Sequence, residues 1–262
     1  METRKPAVAG SFYPDDEKEL KEMIEKFIKD AKTVEIKGKL RGLVVPHAGY
    51  VYSGPVAAYG YKLLMKQKPQ PTDILLMGPA HYGMFIGVAE SGANTWITPL
   101  GPVNTGSISS KLTNHSMVNV YPQVHAPEHS LEVQLPFLQM VMKTDFTVYP
   151  VLTGEVNPAA LANAIEPALK DNMLFLVSSD LSHYHPYENA KKLDALANEG
   201  VPKLDFEKME YAEACGKIPI LTLMQIAKLR GWKGKLLDYR NSGDTAGPKD
   251  NVVGYGCYAF YE

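Results

Sequence analysis

The sequence predicts an α/β fold: a mixed, mostly parallel central sheet with helices on both faces. Three observations predict it. Continuous apolar runs of strand length recur at 41–46, 73–78 and 173–179, as strands buried on both faces require. Stretches of helical period alternate with them, the pattern of a sheet covered on two sides. The chain is 262 residues long and 45% hydrophobic, enough to bury a sizeable core.

The first element is an amphipathic helix over 16–32, DEKELKEMIEKFIKDAK, with acidic residues in its opening turn as the helix dipole favours. A strand follows at 41–46. Ser53 then caps a helix that has Pro55 in its first turn and runs to about residue 66. DILLMG at 73–78 is the second buried strand, and MFIGVAE at 84–90 reads as another. TGSISSKLTNH, 105–115, has the polar caps of a helix, with His115 as an ordinary helix-end residue. EHSLEVQLPFLQMVMK, 128–143, is helical by spacing, but Pro136 must bend or restart it. Strands at 146–152 and 173–179 flank a helix at about 158–170. Helices near 186–199, 205–214 and 219–230 and strands at 235–240 and 252–261 complete the order, with NSGDTAG, 241–247, reading as a turn. No repeat, low-complexity tract or linker divides residues 1–262, which read as one domain.

Lys plus Arg number 27 against 29 Asp plus Glu, a net charge of −2. That balance gives no electrostatic case for a nucleic-acid or anionic-membrane partner. The segment METRKPAVAG lacks the apolar stretch of a signal peptide, and no window approaches the ~18 apolar residues of a spanning helix. The expected location is cytoplasmic. Two cysteines, Cys215 and Cys257, make no disulfide framework.

Three apolar strands end in the same manner. GLVVP runs into His47, DILLMGPA into His81, and LFLVSSD into Asp180 followed by His183 and His185. In an open parallel sheet the carboxyl ends of the strands share one edge, where ligands bind. A histidine after one strand is most often a turn residue; three strands ending alike point to a joint site. Cys215 lies between helices, with Gly216 breaking the first and Pro219 opening the second. A thiol near a helix amino terminus suits a metal ligand or nucleophile, and core packing is the competing reading. Cys257, in an alternating strand, reads as packing. In HAPEHSLEVQ, His129 and Glu132 are three apart with Glu128 beside them and His125 before them. This is not the HExxH zinc pattern, because the glutamate follows the second histidine. The segment is placed at the rim or behind the ligands, where a carboxylate orients an imidazole. Tyr50, Tyr52 and Tyr82 are candidates for the pocket lining, with packing as the alternative.

The pieces AGSFYP, VPHAGYVYSG, GPAHYG, HAPEHSLEVQLPFLQ, SSDLSHYH and CGKIPI occur in an order that resembles the Memo family. Its archaeal and bacterial members are also called AmmeMemoRadiSam system protein B. The resemblance covers almost the whole chain. It implies a fold similar to the class III, LigB-type extradiol dioxygenases, which are non-haem iron enzymes. It also implies metal ligands at His47, His81 and Cys215, with Asp180 and His183 lining the same pocket and His183 as the acid/base. Where those enzymes use two histidines and a carboxylate, this chain offers a thiolate, a softer donor that raises affinity for zinc or Cu(I).

Two functional expectations follow. One is a metal-dependent oxidoreductase, with Fe(II) as the expected metal and an unknown small substrate. The other is a non-catalytic protein that handles iron or copper, or binds a small molecule or peptide, in an enzyme-like crevice. The family's system name implies a radical-SAM partner for either. A zinc hydrolase is a third, weaker fit to the donors.

Overall fold

The computed structural model describes residues 2–112 and 116–262. A nine-stranded mixed sheet forms the centre, with helices on both faces. Its middle four strands are parallel, in the order Leu40–Val45, Met173–Ser178, Asp73–Pro79, Thr147–Thr153. Antiparallel strands flank them: Val252–Tyr261 beside the first and Val88–Glu90 beside the last. Helices are needed because parallel neighbours require crossover connections.

The two-residue period of these strands sorts their side chains between two cores. Leu43, Val45, Ile74, Leu76, Leu174 and Leu176 face one, with residues of the helices Glu17–Asp30, Tyr50–Lys66 and Leu135–Val141. Val44, Leu75, Met77, Phe175 and Val177 face the other, under the helices Pro158–Ile165, Tyr187–Lys203 and Lys217–Arg230. Continuous apolar runs were therefore the right signature for strands covered on both faces.

Several local expectations shift. The helix expected to start at Ser53 begins at Tyr50, with Pro55 inside it. The Ser53 hydroxyl donates to the carbonyl of Ala48 rather than accepting from a helix N–H. Pro136 restarts the helix as expected: a 3-10 turn at Glu132–Gln134 gives way to Leu135–Val141. The strand at 84–90 shortens to Val88–Glu90. Of the helix expected over 105–115, a 3-10 turn at Ser109–Lys111 is present, and His115 lies outside the described residues. A separate three-stranded sheet, Thr3–Arg4, Thr95–Thr98 and Gly101–Asn104, has strands too short to carry a readable period. Among the described residues no helix is long and apolar enough to cross a membrane.

Candidate metal centre

Register builds the site. Val45 pairs with Ser178 and Met77 with Val177, so the segments leaving these three parallel strands emerge together. The backbone N–H of His47 donates to Asp180 Oδ1 at 2.7 Å, which ties the first strand end to the third. His47 and His81 then meet with ring centroids 5.3 Å apart, edge to face. His129 joins them from the irregular backbone ahead of the Glu132–Gln134 turn. Its ring stacks on His81 at 4.6 Å and stands edge-on to His47 at 5.5 Å. One ring nitrogen from each of the three lies within 4.8 Å of the others.

The surroundings fix these rings. Glu128 is buried, and its carboxylate accepts from His81 Nδ1 at 2.9 Å, from the His81 N–H at 2.5 Å, and from the N–H groups of His129 and Ser130. A carboxylate on Nδ1 leaves Nε2 as the nitrogen available to a ligand, the arrangement usual behind a metal-bound imidazole. Burial alone would push the Glu128 carboxyl up, but its bonds from His81 and Ser130 hold it down at about 2. His47 Nδ1 lies 3.0 Å from Ser178 Oγ. His129 Nδ1 is buried and makes no hydrogen bond, but lies 3.3 Å from Glu128 Oε1. Burial drives His47 well below the ordinary histidine range, helped by His129 and His81 beside it, and burial also lowers His129. Burial thus favours the neutral, ligating form of His47 and His129.

Cys215 Sγ lies 3.2 Å from His47 Nε2 and accepts from the Asp180 N–H at 3.3 Å. Its turn is seated by Gly216, whose N–H donates to Ser179 Oγ at 2.9 Å; a Cβ there would stand 2.6 Å from Ser179 Cβ. Burial, then the charge of Asp180, pushes the thiol up to about 12. A metal that takes this sulfur must therefore displace its proton. Cys215 lines a neighbouring cavity of about 730 Å³ with Ala80, Phe85 and Ile218.

The three imidazoles open on a different cavity, of about 530 Å³, whose walls include Asp180, His183, Phe12, Tyr52, Tyr255 and Ser242. His183 is lowered by burial, against the pull of the Leu181 carbonyl. Tyr184 beside it holds φ at +59°, a left-handed conformation costly for a tyrosine. The 241–247 segment borders this cavity through Ser242 and Gly247. It is more than a turn, since Asn241 and Asp244 form a capping box on Ser242–Thr245.

Burial raises Asp180 to about 7, opposed by the N–H groups of His47 and Ala48. The folded protein then holds this proton more tightly than the unfolded chain, so ionising it costs stability as pH rises from 3.8 to about 7. Asp180→Asn is expected to stabilise the metal-free protein at pH 8 and to change it little at pH 4. Urea unfolding at the two pH values checks this, and an equal effect at both would refute it.

Not every expected residue converges here. Neither His125 nor Glu132 lines the cavity. His125 Nε2 donates to the Ala89 carbonyl at 2.9 Å, beside Trp96. Glu132 turns the other way, onto Arg4 at 2.7 Å and the 7–13 segment. Helical spacing would have placed Glu132 with His129, but the backbone at 129 is not helical. Tyr50 packs inside, with its hydroxyl on the Val133 carbonyl, while Tyr52 lines the cavity. His185 is paired outside with Glu213 at 2.9 Å. Ser178 and Gln134 went unread, because a serine ending a strand and a glutamine in a helix-like run carry no local signal.

Comparison with known proteins gives a consistent picture. The family described as Memo-like protein matches residues 4–259. A MEMO1 family protein of Saccharolobus islandicus is 39% identical over 276 residues, covering 96% of this chain and 97% of its own. A MEMO1 family protein of Ignicoccus hospitalis is 37% identical over 284 residues, covering 99% of each. Among solved structures, the uncharacterized protein JW3007 from Escherichia coli K12 shares the fold with a TM-score of 0.52. It is 15% identical and covers 83% of this chain and 99% of its own.

Proposed function

The chain belongs to the Memo-like protein family, and from that membership we propose that it is a metal-dependent oxidoreductase acting on a small molecule held in the 530 Å³ cavity. The observation that carries this reading is the gathering of His47, His81 and His129 in the lining of that cavity. The residues fit a metal. His81 has Nδ1 satisfied by Glu128, and His129 Nδ1 makes no hydrogen bond, its nearest acceptor being Glu128 Oε1 at 3.3 Å. His47 and His81 would hold it, with His129 or Cys215 as the third donor.

Fe(II), the expected metal, would supply Lewis acidity and a redox couple. The protein supplies the rest. Asp180, raised to about 7, can hold a proton near neutral pH, and His183, lowered by burial, faces the same cavity as a neutral acceptor. Phe12, Tyr52 and Tyr255 give the wall flat apolar faces that position a small substrate and exclude water.

A second reading, metal handling without turnover, is favoured by one observation. Cys215 Sγ sits within 3.2 Å of His47 Nε2, and a thiolate beside imidazoles suits Cu(I) or zinc as well as iron.

Metal analysis of protein purified without oxygen tests the site. The native protein should carry about one equivalent, and His47→Ala and His81→Ala less than about a tenth of that. Comparing His129→Ala with Cys215→Ser identifies the third donor. Unchanged metal in His47→Ala and Cys215→Ser together would reject the ligand set. Turnover of a catechol-type library with Fe(II) supports the oxidoreductase, whereas tight Cu(I) retention without turnover supports the handling protein.

A further inference from the structure

We infer that Ser178 and Gln134 are positioning residues that lock His47 in its Nδ1–H tautomer, so that Nε2 always faces inward as a lone pair. The hydrogens run through a buried chain of donors and acceptors. Gln134 is buried, and its Nε2 lies 3.0 Å from the Pro46 carbonyl and 2.7 Å from Ser178 Oγ. The carbonyl accepts only, so the amide nitrogen must stand where it is. Gln134 Oε1 meanwhile accepts from the buried Tyr61 hydroxyl at 2.7 Å, which agrees with that orientation. Both amide hydrogens are then committed, one of them to Ser178 Oγ.

Ser178 has a single hydrogen to give. Its Oγ lies 2.5 Å from the Ser130 carbonyl, which again can only accept, so the hydrogen goes there. What Oγ turns toward His47 Nδ1, 3.0 Å away, is a lone pair. Two lone pairs cannot share a buried contact of 3.0 Å, so His47 Nδ1 must carry the hydrogen. In a neutral imidazole Nε2 is then the bare nitrogen, and it points at Cys215 Sγ, 3.2 Å away, whose thiol can donate to it.

The same logic holds His81 through a carboxylate. For His47 the orienting group is neutral, so its tautomer is set without placing a second negative charge behind the cluster. The lock also links the strand Met173–Ser178, the Glu132–Gln134 turn and the helix Tyr50–Lys66, which contributes Tyr61, to one ring.

The test has two arms, and only the second rests on the metal-binding reading. Histidine labelled with 15N reports the tautomer of each ring in the metal-free protein, His47 being assigned by the signal lost in His47→Ala. The native protein should show a protonated Nδ1 and a bare Nε2 at His47; a protonated Nε2 would overturn the inference with no variant needed. In Ser178→Ala the hydrogen should redistribute to Nε2, and Co(II) affinity, read from its absorption bands, should fall by about 10–100-fold. Ser178→Thr, which keeps the oxygen, should restore both. If Ser178→Ala folds and leaves tautomer and affinity unchanged, the positioning role is refuted. If the native protein takes no Co(II), the metal reading fails and the tautomer arm alone decides this inference.

Discussion

Glu132→Ala is expected to destabilise the fold by about 3–5 kcal/mol, the cost typical of leaving a buried charge without its partner. Glu132 is fully buried, and every acceptor site on it is used. Oε2 accepts from Arg4 at 2.7 Å and from the Ala7 N–H at 2.7 Å, and Oε1 accepts from the Val8 N–H at 3.0 Å and the Tyr13 hydroxyl at 2.7 Å. Arg4 is equally enclosed: it donates to the carbonyls of His125 and Glu128 and lies 4.1 Å over the Trp96 ring. Removing the carboxylate strands the guanidinium and frees the 4–13 segment together. Glu132→Gln keeps the shape and two acceptor contacts, and should lose less. Urea unfolding measures both, and a loss under about 1 kcal/mol in Glu132→Ala would mean that the pair contributes no more than a surface one.

Glu128→Ala should cost about 100-fold in metal affinity, at the upper end for a carboxylate behind a ligand, because this one holds two imidazoles. It fixes His81 through ring and backbone, and the loop of His129 through its N–H. Titration with Co(II) against the native protein measures the loss; an affinity within twofold of native would show that the rings are placed by packing alone. The pH dependence follows from the depressed carboxyl. Its contribution to stability is complete above the ordinary value of 4.5 and is lost as pH falls through about 2. The metal-free native protein should therefore weaken between those values more steeply than Glu128→Gln does.

How much of this was legible before folding depended on whether the signal was local. His47, His81 and Asp180 could be read because each ends an apolar run, and a parallel sheet brings such ends together. Gly216 and Pro219 could be read because helix punctuation is a matter of neighbouring residues: the helix does begin at Lys217. The spacing of His129 to Glu132 predicts one helical face at the rim or behind the ligands, whereas the ring of His129 enters the cluster and Glu132 leaves it. Ser178 and Gln134 were invisible for a different reason. Their importance lies in partners 131 and 44 positions away, set by strand register rather than by anything beside them.

The seat of Gly216 on Ser179 has a consequence for chain entropy. His47 and Cys215 stand 168 positions apart, and the sulfur is in place only where that turn lies against Ser179, just past the strand Met173–Ser178. Bringing together groups so distant along a chain costs loop-closure entropy that local contacts do not. A cation placed among these groups would join segments from far apart in the chain, a guest of the strand register and not of any local motif.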